Sequence, residues 1–255
     1  MRKKLYKLNN EILNQKKIVK DKKGKRIFSI RDIGDIPKVR ARKFYLHEPD
    51  TVNWISKFPI NSKFLDIGAN IGIYSLFAAH KNCKCISIEP QSLNFALLNL
   101  NIFDNKFQNL ISAYPICAND KSGPSYLYHS KELKFGGAHT TFDRNINDEG
   151  SSFDIKFKSG SYAVVLDDFL KKIKFEPNYI KIDVDGNELN VLKGLKKTIK
   201  SKTLKSILIE INPDFPEHEK CINILKKQFN FYDIVNIQPK TKVCNMIFKK
   251  NEFGI

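Results

Sequence analysis

No run of eighteen apolar residues occurs in this 255-residue chain, so the sequence offers no membrane-crossing helix. No apolar segment follows the basic start Met1-Arg2-Lys3-Lys4, so the amino terminus does not read as a secretory signal. Cysteine is scarce and odd in number: five thiols, none at the spacing of a zinc site. Reduced, structural cysteines in a cytoplasmic protein are the expectation. His47, His80, His129 and His218 are scattered without ligand spacing. Asp183-x-Asp185-x-Asn187 offers oxygen ligands, but a strand end and a helix start do not converge well, so no metal is expected. There is no internal repeat and no low-complexity segment beyond the lysines.

Positive charge is what the chain has in excess. It carries 44 Lys and Arg against 27 Asp and Glu, a formal charge of +17. Residues 1 to 43 hold sixteen of the cations and four of the acids, a net of +12. Such an arm suits an anionic membrane surface, an acidic glycan or nucleic acid, or is only a solvated face. A 42% hydrophobic content still allows a sizeable core.

Phe64-Leu65-Asp66-Ile67-Gly68-Ala69-Asn70-Ile71-Gly72-Ile73-Tyr74-Ser75-Leu76 is the most informative stretch. An apolar strand ends near an acid, a glycine turn follows, and an apolar helix begins. That is a nucleotide loop at the carboxyl end of a strand in an open α/β sheet. The dinucleotide fingerprint needs a glycine where this chain has Asn70. An asparagine crowds a pyrophosphate but can bond an amino-acid head group, which favours S-adenosylmethionine over a nicotinamide dinucleotide. Lys84-Cys85-Ile86-Ser87-Ile88-Glu89-Pro90 reads as the next strand, ending in an acid about twenty residues on. The two oxygens of Glu89 can take both hydroxyls of a ribose.

From Phe64 onward, strands and helices alternate, which predicts a mostly parallel, doubly wound sheet covered on both faces. A helix over Gln91 to Phe103 and a third strand over Asn109 to Cys117 are expected. Ser125 to His129 and Ser152 to Phe157 read as an added strand pair. Between them, Phe135 to Arg144, with Gly136 and Gly137, reads as a substrate or lid loop. Tyr179 to Asp183 is an apolar strand, Leu189 to Ile199 a helix, and Lys205 to Ile211 a strand. Phe231 to Ile237 and Val243 to Phe248 predict a closing antiparallel pair. Upstream, Lys16 to Lys20 and Arg26 to Ile30 predict a hairpin, and Glu48 to Phe58 a helix packed on the core. Residues 1 to 60 are thus a basic extension and residues 61 to 255 the catalytic domain.

These blocks together resemble the FkbM family of S-adenosylmethionine-dependent methyltransferases. The resemblance is carried by Phe64 to Ser75, Ile88-Glu89-Pro90, Leu166-Asp167-Asp168-Phe169-Leu170 and Tyr179 to Leu189, over about Phe64 to Asn212. It implies the class I methyltransferase fold, which is Rossmann-like, and O-methylation of a hydroxyl, often on a sugar. One departure is Asp185, where the family more often has Glu. The expected cofactor site comprises Asp66, Gly68, Ala69, Asn70, Gly72, Glu89, Pro90 and Cys117, the last closing the third strand.

Methylating a hydroxyl also requires a proton acceptor. Asp183, ending a buried strand at the sheet's carboxyl edge, is the first candidate. His139 in the Gly-Gly loop and Glu210 at the next strand end are the others. Asp185-Gly186-Asn187-Glu188 also has the spacing of a helix cap, with Glu188 as the reciprocal acid. Against an RNA methyltransferase using the basic arm stand two absences. There is no Asn/Asp-Pro-Pro-Tyr/Phe signature of base N-methylation, and no basic stretch is interleaved with aromatics for stacking. A non-enzymatic, cofactor-binding assembly subunit is the remaining alternative, disfavoured by the intact Asp66, Gly68, Asn70 and Glu89 set. The acceptor is thus expected to be a hydroxyl of a glycan or related small molecule, with residues 1 to 43 able to meet an anionic membrane surface.

Overall fold

In a computed structural model, residues 14–147, 149–229, 231–235 and 243–250 are described. The described residues begin with the hairpin β1 (Lys16–Lys20) and β2 (Arg26–Arg31), antiparallel and in register from Lys16 opposite Arg31. Three short helices follow, α1 (Asp35–Arg42), α2 (Phe44–His47) and α3 (Pro49–Ser56). The alternating part is β3 (Lys63–Ile67), α4 (Ile73–His80), β4 (Lys84–Ile88), α5 (Ser92–Asp104) and β5 (Ile111–Tyr114). An insertion supplies β6 (Cys117–Asn119), β7 (Gly123–His129), β8 (Thr140–Phe142) and β9 (Phe157–Val165). The chain then continues through α6 (Leu166–Lys172), β10 (Tyr179–Ile182), α7 (Glu188–Gly194), α8 (Lys196–Lys200), β11 (Ser206–Ile211) and α9 (Pro216–Lys226). The last described strands are β12 (Phe231–Val235) and β13 (Cys244–Lys249).

Seven strands form the main sheet in the order β12-β13-β11-β10-β3-β4-β5. Strands β11, β10, β3, β4 and β5 are parallel, and β13 runs against both its neighbours. This is the class I methyltransferase arrangement. The strand order reverses between β3 and β10, so a crevice opens beyond their carboxyl ends. Among the described residues no helix is long and apolar enough to cross a membrane.

Each face of the sheet carries a hydrophobic layer. One holds Phe64, Leu76, Phe77 and Leu97 together with Val19, Phe28, Phe44, Trp54 and Ile55 from the upstream segment. Phe44 meets Phe28 and Phe77 edge to face, with centroids 5.2 Å apart in both pairs, and the Trp54 indole donates to Ser206 Oγ at 3.1 Å. Burying each such side chain contributes roughly 1.5–3 kcal/mol. The hairpin is also tied to α5. The Arg31 Nε donates to Asp104 Oδ2 at 2.8 Å, Lys16 Nζ lies 3.0 Å from Asp104 Oδ1, and the Ser29 N–H donates to Asn105 Oδ1 at 2.7 Å. The second layer holds Leu166, Leu170, Leu192, Ile207, Ile209 and Leu225.

Several expected elements differ. The third strand stops at Tyr114, because Pro115 has no N–H for the ladder. The chain re-enters extended structure as β6, in a separate sheet of order β6-β9-β7-β8. The strand expected over Ser152 to Phe157 instead starts at Phe157 and runs on to Val165. Its partner β7 ends at His129, opposite Phe157, so the residues before Phe157 have no strand beside them except for a lone Ile146–Ser152 bridge. The Gly-Gly segment is only partly loop, since Thr140–Phe142 pairs with β7. The single helix expected over Leu189 to Ile199 breaks at Leu195. There Gly194 lies against β6 so closely that an added Cβ would stand 2.3 Å from the Asn119 carbonyl oxygen. The closing pair is β12 and β13; residues 236–237 lie outside the described residues.

Candidate active site

A cavity of about 660 Å³ opens at the carboxyl ends of β3, β4, β10 and β11, roofed by the β7–β8 segment and walled on one side by α1, α2 and Glu48. That volume suits a cofactor-sized molecule. Gly68, Ala69, Asn70, Glu89, Pro90 and Cys117 line it, as do Asp183, His139 and Glu210. Asp66 and Gly72 stand behind the wall. Asp66 is buried, accepts from Ser75 Oγ at 2.6 Å, and keeps Oδ1 without a donor. Burial raises its carboxyl, with Lys181 and Ser75 opposing. Gly72 takes the left-handed conformation that starts α4.

The glycine loop is built by close approach. At Gly68, with φ +79, an added Cβ would lie 1.7 Å from the Asp183 carbonyl oxygen. The Gly68 and Ala69 N–H groups both donate to the Ile88 carbonyl at 2.9 Å, which fixes the loop across β4. The Asn70 side chain is already engaged: Oδ1 accepts from the Ile71 N–H and Nδ2 donates to the Gly137 carbonyl, each at 2.9 Å. Asn70 thus fastens the Gly-Gly segment over the loop. Asn94 helps, donating to the same Gly137 carbonyl at 2.9 Å and accepting from the Gly136 N–H at 2.8 Å.

Glu89 is buried at the end of β4. Its carboxylate accepts from the Asn70 N–H at 2.7 Å and the Gln91 N–H at 2.9 Å, one on each oxygen. Each oxygen retains a lone pair. Burial pushes its carboxyl up to about 7 against the pull of those two N–H groups. Burial also pushes the Cys117 thiol, 3.3 Å from Ser161 Oγ, up to about 12.

Tyr179 and Lys181 share one face of β10, and Asp183 follows its last residue. Lys181 is fully buried, with Nζ 2.6 Å from Asp183 Oδ2 and 5.2 Å from the Tyr74 ring centroid. Burial disfavours both charges, but Asp183, Glu48 and Asp66 hold the Lys181 ammonium above its ordinary range. Burial likewise pushes Asp183 up, yet Lys181 foremost, then Arg40 and Glu210, bring it below the usual carboxylate value. Burial and the neighbouring carboxylates, Asp183 first among them, drive Glu210 well up. Asp183 is therefore an ionised carboxylate facing the cavity with a cation behind it.

Asp185 and Glu188 do not form the expected capping box. Asp185 turns outward in a left-handed conformation, and its Oδ2 accepts from the N–H groups of His139 at 2.8 Å and Thr140 at 3.2 Å. Glu188 turns back under the loop, where Oε1 accepts from Val184 and Gly186 at 3.2 Å each and Oε2 meets His218 Nε2 at 2.9 Å. The Asn212 N–H donates to His218 Nδ1 at 2.8 Å, which leaves the ring's proton on Nε2. His139 is exposed at the cavity rim.

Lys181, Tyr74, Glu48 and Arg40 are among the cavity residues that sequence reasoning missed. Lys181 could have been found, as a lysine two residues before Asp183 inside an otherwise apolar strand. Tyr74 lies within electrostatic reach of Glu48, which accepts from Thr51 Oγ1 at 2.8 Å. Glu48 and Arg40 precede the alternating region and carry no local signal. The acidic wall formed by Glu48, Glu89, Asp183, Asp185 and Glu210 suits a cationic ligand, and Glu89's open lone pairs suit a diol. Those are the features of S-adenosylmethionine.

The family model described as Methyltransferase FkbM domain matches residues 66–232. Hexuronic acid methyltransferase AglP of Haloferax volcanii is 26% identical over 186 residues, covering 73% of this chain and 66% of that protein. Among solved structures, precorrin-6y C5,15-methyltransferase of Geobacter metallireducens superposes with a TM-score of 0.47 at 10% identity, covering 87% of this chain and 92% of that one. The human methyltransferase 10 domain containing protein gives 0.48 at 14% identity, covering 80% and 82%. This chain belongs to the FkbM family of methyltransferases, and its cofactor is S-adenosylmethionine.

Proposed function

We propose that this methyltransferase transfers its methyl group to a hydroxyl oxygen of a sugar, with Asp183 as the general base. The observation that carries this reading is the ionised Asp183 carboxylate, backed by Lys181 and facing the cavity beside the Gly68 loop. The cofactor supplies an electrophilic methyl group on a sulfonium. Glu89 holds the ribose hydroxyls with its remaining lone pairs, and the Gly68–Asn70 backbone receives the amino-acid end. Asp183 accepts the acceptor's proton on an oxygen. A hydroxyl oxygen becomes strongly acidic as it gains a carbon substituent, so a carboxylate of low basicity is sufficient. Glu210 holds the second Asp183 contact and Lys181 fixes its orientation. The roof fastened by Asn70 and Asn94 keeps water from the reacting atoms. The sugar class is supported by the name of the Haloferax volcanii relative.

The exposed lysines of the hairpin turn, Lys20, Lys22, Lys23 and Lys25, are in this reading an electrostatic contact for an anionic surface. Transfer of a labelled methyl group to a panel of sugars, uronic acids and RNA tests the acceptor. An acid-stable methyl ether on a sugar is expected; transfer to RNA alone would overturn the reading.

A further inference from the structure

We propose that Arg40 is the carboxylate-binding residue of this cavity. It takes either the amino-acid carboxylate of the cofactor or the carboxylate of an acidic sugar acceptor. Only the second source rests on the sugar reading above.

Arg40 comes from α1, upstream of the residues the family model matches. It lines the cavity half-buried. Its Nη2 donates to the Gly136 carbonyl at 3.2 Å, and its buried Nε has no acceptor. No carboxylate among the described residues forms an ion pair with it. The acids around the cavity are engaged elsewhere. Glu48 accepts from Thr51, Glu89 from Asn70 and Gln91, Asp183 from Lys181, and Asp185 from His139 and Thr140. A guanidinium has five donors and its planar fork matches a carboxylate. Its electrostatic partner Asp183 is already bonded to Lys181, so the guanidinium fork, with its buried Nε unpartnered, is left for an anion supplied by a ligand.

The position is also fixed. An added Cβ at Gly136 would lie 3.0 Å from Ile36 Cγ2, so α1 abuts the Gly-Gly segment. That segment is fastened to the cofactor loop through Asn70 and Asn94. Arg40 therefore stands at the junction of the cofactor loop and the acceptor space, within electrostatic reach of Asp183 and Tyr74.

Calorimetry on the whole protein separates the two sources. In one arm, wild type and Arg40→Gln are titrated with S-adenosylhomocysteine and with its decarboxylated analogue. In the other, the protein saturated with S-adenosylhomocysteine is titrated with glucuronic acid and with glucose. The wild type is expected to favour the carboxylate-bearing member of at least one pair by about 10- to 100-fold, the worth of a charge-assisted bidentate contact. Arg40→Gln should bind both members of that pair alike, with Arg40→Lys recovering part of the preference. The pair that loses its discrimination names the source. A wild type that prefers neither carboxylate, or a folded Arg40→Gln that keeps every preference, overturns the assignment. Failure to methylate any sugar would sink the acceptor reading and leave the cofactor arm decisive for Arg40.

Discussion

Gly68 and Asp183 are in main-chain contact: a Cβ on residue 68 would stand 1.7 Å from the Asp183 carbonyl oxygen. The turn after β3 and the turn after β10 are therefore one packed unit, and the cofactor loop cannot move without moving the proposed base. Gly68→Ala forces that contact apart. It also places a side chain at φ +79, which alone costs on the order of 1–3 kcal/mol. A melting point lower by several degrees and loss of S-adenosylhomocysteine binding are expected. A variant with wild-type affinity would show that the two turns are independent.

Glu89 gives the site a pH dependence with a definite sign. Its carboxyl is raised to about 7 in the folded protein by burial. The stability this group contributes is full below the ordinary carboxylate range and is lost as pH rises through about 7. Binding a ribose and a cationic cofactor favours the ionised form. Affinity should therefore climb as pH rises toward 7, by up to about tenfold per pH unit, and level off above it, with proton release on binding. Calorimetry in two buffers of different ionisation enthalpy measures this. Glu89→Gln should weaken binding by about 1–3 kcal/mol and flatten the profile. A Glu89→Gln variant with the wild-type pH profile would remove Glu89 from the role.

Lys181 is expected to act through Asp183. Without the ammonium 2.6 Å away, burial dominates and the Asp183 carboxyl rises. The acidic limb of the kcat/KM profile of Lys181→Met should therefore move to higher pH, with the melting point reduced because buried acids lose their cation. An acidic limb that stays in place would mean that Lys181 does not set the ionisation of the group that titrates.

The hairpin charge divides into two sets. Lys16 and Lys17 pair with Asp104 and Asp32, so changing them would disturb the fold. Lys20, Lys22, Lys23 and Lys25 are exposed. Near an anionic leaflet each contributes up to about 1 kcal/mol. Reversing these four to Glu should sharply reduce co-sedimentation with anionic vesicles at low salt and leave turnover on a short soluble acceptor unchanged. An unaltered bound fraction would leave these lysines as a solvated face.

The parallel core was legible because each strand of it is a short apolar run, bounded by Gly68, Pro90 or Asn212, with a helical pattern beside it. The insertion was not. Its strands alternate polar and apolar over a longer stretch than is paired, and only the length of β7 decides that β9 starts at Phe157. In the site, Gly68, Glu89, Asp183 and Glu210 were visible as strand ends. Arg40 and Glu48 were not, because they reach the cavity through the packing of Phe44 and Trp54 on the sheet, a long-range event with no local pattern. The Asp185–Glu188 cap spacing misled for a related reason. Glu188 finds His218, thirty residues away, and serves the loop beneath it.

The base assignment is tested most directly by Asp183→Asn, assayed for methyl transfer to the sugar acceptor alongside calorimetry with S-adenosylhomocysteine. The amide keeps the shape of the carboxylate and cannot take the hydroxyl proton. Turnover should fall by roughly 10²–10⁴ while cofactor affinity stays within a few-fold. Near-normal turnover would contradict the account, and so would a collapse of cofactor binding, which would make Asp183 a binding residue and pass the proton to Glu210 or His139.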